Sequence, residues 1–280
     1  MLPIGLLFTA TLFEEISETM GKTSVKRRRE DAFCLAFLGL FWSVIFLMGT
    51  VVLFGAKFTV SQASLPTLVL RIMCEILLTY VLAEAIIRAD RSTLSFLRLL
   101  SIPVLLGFDV ALGYHLTTLQ VIAVFALLTG MALAFRRNPA GRRGANWALA
   151  VAIIAAVSAA LLKWDISHYN SVAGEQITVY TTVLLFYYVQ AKLAGSDPLK
   201  LLVRRATGLQ SLSNGIGLAV ESFAYAYAPA SVIVAIKRSF AIFWAVIFGQ
   251  RYFHERRTHH KLIAGAVLAL GLILMVSPYL

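Results

Sequence analysis

The stretch 230–255, ASVIVAIKRSFAIFWAVIFGQRYFHE, decides how this chain is read. Its length and oiliness describe a helix immersed in lipid, yet Lys237 and Arg238 stand side by side in its middle. With about 1.5 Å of rise per residue, they lie about 12 Å from the start of the apolar run, near the bilayer midplane. A fixed charge at that depth costs about 2.5–3.5 kcal/mol on insertion scales. Snorkelling relieves long basic side chains only near helix ends. Two adjacent cations therefore need either acidic partners inside the protein or an anion to hold.

The same oiliness runs through all 280 residues, of which 59% are hydrophobic and 14% charged, with a mean hydropathy of +0.81. That composition lies outside the range of soluble domains and reads as an all-α membrane protein. Apolar runs of the roughly 17–25 residues needed to cross a bilayer recur from end to end and leave no room for a soluble domain. Ten transmembrane helices are expected, at 2–20, 32–55, 66–88, 92–112, 116–135, 146–166, 174–194, 206–228, 229–250 and 261–279. The first has no basic region ahead of it, and Glu14, Glu15 and Glu18 stand where a secretory signal would place its small-residue cleavage site. It is read as a retained span. Cys34 and Cys74 fall inside expected spans and act as small hydrophobes, implying neither a disulfide framework nor a metal site.

The net charge of +11 does not point to nucleic acid, because the basic residues alternate with the spans and form no patch on one domain. Lys22 and Lys26 to Arg29 follow the first span, Arg88 and Arg91 the third, and Arg136, Arg137, Arg142 and Arg143 the fifth. Lys192, Lys200, Arg204 and Arg205 follow the seventh; Arg251, Arg256, Arg257 and Lys261 follow the ninth. The opposite side carries only Lys57 and, at a span end, Lys163. Under the positive-inside rule the basic side is cytoplasmic and both termini lie outside.

The chain also repeats itself. Residues 117–134, TTLQVIAVFALLTGMALA, align with 258–275, THHKLIAGAVLALGLILM, at a shift of 141, and 85–98 align with 224–237 at a shift of 139, pairing Arg98 with Lys237. A weaker echo pairs EIS at 15–17 with DIS at 165–167. The units are residues 1–137 and 146–280, with a linker at 138–145 rich in glycine and arginine. Five spans per unit force the second copy to enter the membrane in the opposite direction, giving two inverted five-helix repeats with a site between them near the midplane.

The closing pattern, IVAIKRSFAIFWAVIFGQRYFHERRTHHKLIAGAVLALGLILM, together with the repeat, resembles the drug/metabolite transporter superfamily in its ten-span form of two EamA-like domains. The likeness covers nearly the whole chain and is strongest in spans 8 to 10: Pro229, Ala230 and Ser231 open span 9, Glu255 sits in the short loop, and Gly265 and Gly271 lie in the last span. It implies transport by alternating access in the cytoplasmic membrane of a prokaryotic cell. The Lys237–Arg238 pair is similar to the dibasic pair with which nucleotide-sugar and organophosphate translocators of that superfamily bind substrate phosphate. One departure stands out: ten-span relatives have cytoplasmic termini, whereas the loop charges here favour the reverse.

Inside the expected spans the charges fall in patterns. Gln210, Asn214, Gly217, Glu221 and Tyr225 are spaced 4, 3, 4 and 4 apart and share one helical face, which lipid cannot satisfy. Shifted by 139, that stripe lands on Arg71, Glu75, Leu78, Leu82 and Ile86. Arg71 and Glu75 are either a self-neutralising i,i+4 pair or part of a site. Glu84 is placed to pair with Arg88, and Glu18 with Lys22, while Lys163 and Asp165 sit near the outer end of span 6, where solvent reaches them. Glu14 or Glu15, desolvated, is placed to carry a coupled proton. For Gln210 and Tyr225, plain helix-to-helix hydrogen bonding suffices.

HERRTH at 254–259 misses the zinc-protease spacing and NGIGLA at 214–219 lacks the strand and third glycine of a dinucleotide loop, so no metal, cofactor or catalytic role is expected. The expected function is a secondary transporter, not an enzyme, that moves a small organic anion, phosphorylated or not. Lys237, Arg238 and Arg98 hold the anion; Asn214, Glu221 and Glu75 set selectivity; Glu14 and Glu15 couple protons. Two alternatives stay open: an exporter of amino acids or related zwitterions, and a lipid flippase or scaffold whose interior charges merely close on one another. The expected partners are a small-molecule substrate and the lipid bilayer, with no nucleic acid, in a monomer or homodimer.

Overall fold

The computed structural model describes residues 2–28, 32–89 and 144–253 and, between 94 and 129, residues 94, 97–111, 113, 117–119, 121, 122, 125, 126 and 129. The tenth expected span, most of the fifth, most of the linker, the repeat segment 258–275 with more than half of its counterpart 117–134, and the 254–259 motif lie outside the described residues.

Among the described residues every regular element is helical, in agreement with the all-α reading. The helices are α1 (Leu2–Arg28), α2 (Ala32–Phe54), α3 (Leu65–Arg88), α4 (Ser101–Ala111), α5 (Ala145–His168), α6 (Val172–Leu193), α7 (Pro198–Val203), α8 (Arg205–Ala224) and α9 (Ala230–Phe253). Three of them are long and apolar enough to cross a bilayer: α2, α3 with the short turn before it, and α5. Two differences from the sequence expectation are physical. The run expected as span 4 is interrupted by a 3₁₀ turn at Arg98–Leu100 before α4 begins, and the short α7 fills the polar interval between α6 and α8, where Pro198 opens a helix naturally.

Local signals set several boundaries. Ser61 caps the 3₁₀ turn Gln62–Ser64 by accepting from the Ala63 amide at 3.3 Å, and Pro66 stands in the first turn of α3, where its missing N–H costs nothing. Ser171 caps α6 by accepting from the Gly174 amide at 3.1 Å.

The helices interlock across the chain's midpoint. α1 packs on α8 and α9, α2 on α8 and α6, α3 on α5 and α6, and α4 on α5 and α9. The polarity is inverted relative to a soluble bundle: Val52, Leu53 and Phe54 are almost fully exposed, as are large parts of Met73, Leu185, Val189 and Leu193, while Arg71, Asp165, Glu175 and Gln176 are buried. Apolar side chains outside and polar ones within are what lipid demands.

Two glycines let α8 come close to its neighbours. A Cβ at Gly215 would overlap Trp42 of α2, and one at Gly217 would meet Glu14 Cγ at 2.7 Å and the Ala10 carbonyl at 2.9 Å on α1. Helix contacts this close form without a hydrophobic driving force, through small residues and direct hydrogen bonds. The bonds are present: Ser211 donates to the Leu38 carbonyl, Ser213 to Phe13 at 2.7 Å, and Asn214 to Gly39 at 2.7 Å. Gly215→Ala and Gly217→Ala should each cost about 1–3 kcal/mol by overpacking. That loss would be read as a lower melting temperature of the detergent-purified protein, with Gly5→Ala, whose Cβ meets nothing, as the control.

Candidate functional site: a charged central cavity

The close approach of α8 to α1 and α2 brings its polar face to the edge of a central cavity of about 230 Å³. Gln210, Asn214, Glu221 and Tyr225 line it, and so do Arg71, Glu75, Leu78, Leu82 and Ile86 of α3. Gly217, the fifth member of the α8 stripe, is spent on the contact with Glu14. Lys237 and Arg238 reach the same cavity from α9 and Arg98 reaches it from the 3₁₀ turn before α4.

Lys237 is almost completely buried and held between two carboxylates. Its Nζ lies 2.5 Å from Glu221 Oε2 on α8 and 3.0 Å from Glu14 Oε1 on α1. Tyr225 donates to the other oxygen of Glu221 at 3.5 Å. Arg98 pairs with Glu18 at 2.6 Å, and its Nε has no acceptor; the Glu18–Lys22 pairing expected along α1 involves a side chain outside the described ones. Glu15 is buried too, lies close enough to act on Arg98, and is not among the residues lining the cavity. Of the three basic residues expected to hold an anion, two are therefore ion-paired.

Arg238 differs from both. It makes no ion pair among the described residues, its Nε is buried without an acceptor, and its nearest charges include Arg98 as well as Glu14, Glu221 and Glu18. A guanidinium cannot shed its charge and carries five N–H donors, so this one faces the cavity with donors to spare.

Of the two readings left open for Arg71 and Glu75, the i,i+4 ion pair is not the one that forms. Arg71, 1% exposed, turns to α6, where it donates to Glu175 at 2.7 Å and to Gln176. Glu75 instead accepts from Ser158 of α5 at 2.5 Å and has no cation partner among the described residues. Glu175 and Gln176 were missed in the sequence; a carboxylate two residues inside an expected span was the signal that could have found them. The local pair that does form is Glu84–Arg88, at 2.5 Å, just as the i,i+4 spacing suggests. Gln210 lines the cavity with its Oε1 buried and unpartnered, so helix-to-helix bonding does not account for it.

The cavity extends toward the helix ends that adjoin the basic segments, past Leu35, Leu82, Ile86 and Val151. None of its lining comes from residues 55–66 or 163–175. There the two halves are tied together. Thr59 and Ser171 exchange backbone and side-chain bonds at 2.9–3.4 Å, Asn170 accepts from the Ser61 amide at 2.8 Å and donates to Ser64 at 2.9 Å and to Glu175 at 2.5 Å, and Thr67 meets Asp165 at 2.5 Å. Asp165, expected to be solvated, is fully buried beneath this seam because the segment ahead of α3 folds over the end of α5. Lys163 reaches inward as well, donating to the Tyr225 carbonyl at 3.0 Å.

Comparison of the chain with protein-family models gives no match, and neither does comparison with curated proteins.

Removing the cation between Glu14 and Glu221 leaves two uncompensated carboxylates. Lys237→Met should cost about 3–5 kcal/mol, the range for breaking a buried pair. Adding Glu14→Gln and Glu221→Gln to it should restore most of the loss, measured by thermal unfolding of the purified variants.

Proposed function

We propose that the chain is a secondary transporter that carries a small organic anion, phosphorylated or not, across the cytoplasmic membrane. It works by alternating access between two inverted five-helix halves in a ten-span fold of the drug/metabolite transporter type. The observation that carries the substrate class is Arg238. It is an obligate cation in the wall of a central cavity, it has no carboxylate partner among the described residues, and its Nε is a donor without an acceptor. Lys237 and Arg98 stand in the same cavity already matched by Glu14, Glu221 and Glu18, while Asn214, Glu221 and Glu75 line its walls, and Glu14 and the buried Glu15 are the candidates for proton coupling.

The packing supports the inverted repeat. Exchanging α1 with α5, α2 with α6, α3 with α8 and α4 with α9 maps the contact of α1 with α8 onto that of α5 with α3. The same exchange maps α1 with α9 onto α5 with α4, and α2 with α8 onto α6 with α3. The contacts of α2 with α6 and of α4 with α9 map onto themselves. The two stripes related by the 139-residue shift also face the same cavity, as a pseudo-two-fold through it requires. With the cavity reaching toward the basic segments and the other end tied shut, this arrangement is an inward-facing state if those segments are cytoplasmic.

Size narrows the substrate. About 230 Å³ is below the roughly 300–1,000 Å³ of drug-sized pockets, which favours a compact metabolite over a nucleotide sugar. A second reading, an exporter of amino acids or related zwitterions, is favoured by Glu75, whose carboxylate faces the cavity without a cation and could take an ammonium group.

Thermal-shift measurements with phosphate esters, simple carboxylates, amino acids and lipids, followed by uptake into proteoliposomes, separate the readings. Organic anions should stabilise the wild type, and Arg238→Ala should retain its own melting temperature while losing that stabilisation. Stabilisation by amino acids alone, abolished by Glu75→Gln, would establish the zwitterion reading. Lipids alone, or nothing, would leave a flippase or scaffold.

A further inference from the structure

We propose that Asp165 is a proton-binding site, its carboxyl hydrogen donated from Oδ1 to Thr67 Oγ1 across the seam between α5 and α3. Three observations at that seam converge on it. The first is a count of hydrogens. Thr67 Oγ1 lies 2.9 Å from the Ser64 carbonyl and 2.5 Å from Asp165 Oδ1, and a hydroxyl has one hydrogen to give. With that hydrogen on the Ser64 carbonyl, the shorter contact is a bond only if Asp165 supplies the other.

The second is the remaining oxygen. Asp165 Oδ2 is buried with no hydrogen-bond partner in a side chain that is 0% exposed. An anionic oxygen left dry is among the costlier arrangements in a protein, whereas the carbonyl oxygen of a neutral acid tolerates it far better.

The third is charge. The largest charges acting on Asp165 are the neighbouring carboxylate of Glu175 on α6, which is no donor to it when ionised, and Arg71 of α3. Arg71 is already matched by Glu175 at 2.7 Å. The other side chains bonded into the Arg71–Glu175 network, Ser64, Asn170, Gln176 and Ser222, are neutral. An ionised Asp165 would give this buried cluster a net negative charge beside a second carboxylate, while a protonated one leaves it neutral.

The proton thus sits in a link between the halves, at the end opposite the open cavity. Its departure removes the donor from the Thr67–Asp165 contact, so Thr67 must abandon Ser64 or the contact must part. Opening of this end is then linked to proton release. That last step rests on the transporter reading; the proton site itself does not.

Infrared spectra of the purified protein at neutral pH test it without any substrate. Isotope labelling of aspartate separates this residue from Glu14 and Glu75. The wild type should show a protonated aspartate carbonyl band that moves in heavy water and is lost in Asp165→Asn. Asp165→Asn should melt as the wild type does, because an amide reproduces the donor, whereas Glu175→Gln should melt well below it. A carboxylate band in place of the acid, Asp165→Asn melting as low as Glu175→Gln, or stabilisation by sodium over potassium that requires Asp165, would each overturn the proposal. Should Asp165→Asn fail to fold, labelled wild type showing no protonated aspartate would overturn it equally.

Discussion

A buried ammonium group organises this molecule. Lys237 is drawn out of water, and its desolvation is offset because Glu221 and Glu14 come within 2.5 and 3.0 Å. The two carboxylates belong to different helices, α8 and α1, so the condition for burying one lysine is that three helices from both ends of the chain meet at one point. Gly217 makes the meeting possible by letting the Glu14 side chain lie against the backbone of α8. Aromatic contacts continue the same seam: Phe8 of α1 meets Phe240 edge-on at 5.2 Å and Trp244 at 5.1 Å on α9. Sequence chemistry, close packing and charge pairing here are one constraint seen at three scales.

Once the lysine is matched, what is left over defines the site. Lys237 and Arg98 have carboxylates of their own, and a ligand competing for them would have to displace a bond already made. Arg238, Glu75 and Gln210 are in another position, since among the described residues the first has no anion, the second no cation and the third an acceptor oxygen with no donor. Binding energy is most cheaply drawn from groups the folded protein has left unmatched, because nothing must be broken first. The paired residues supply field and rigidity, and the unpaired ones supply contacts.

The division between what could be read in the sequence and what could not follows the range of the interaction. The stripe on α8 was legible because helical spacing alone places Gln210, Asn214, Glu221 and Tyr225 on one face, and that face does border the cavity. Glu84–Arg88 was legible for the same reason, as both partners lie on one turn. Arg71 and Glu75 had the same spacing, which left an i,i+4 pair and a site equally open. A partner 104 residues away, Glu175, offers Arg71 a fully buried carboxylate, against which an i,i+4 contact worth a few tenths of a kcal/mol cannot compete. Asp165 failed differently. Its distance from the helix end was read correctly, but depth along a helix says nothing about what lies on top of it, and the turn before α3 covers it completely. The three apolar helices α2, α3 and α5 were plain from composition; their bounds agree with the expected ones to within two residues.

The two ends of the molecule are held by unlike forces, and that asymmetry bears on how it would move. Around the cavity the ties are ion pairs facing a space that water or a ligand can enter, so the groups separated by a movement have something else to bind. At the opposite end the ties are mostly neutral hydrogen bonds among serine, threonine and asparagine, with Gly174 drawn so close to the Thr59 carbonyl that a side chain would not fit. Neutral bonds of this kind have only a modest net worth each when water is available to replace them, but several must part together before water arrives. The barrier to opening therefore lies less in any single bond than in desolvated polar groups that have no partner until the end is wet. An ion pair buried beside them, Arg71 with Glu175, is a further tie that the proposed transport cycle would have to part.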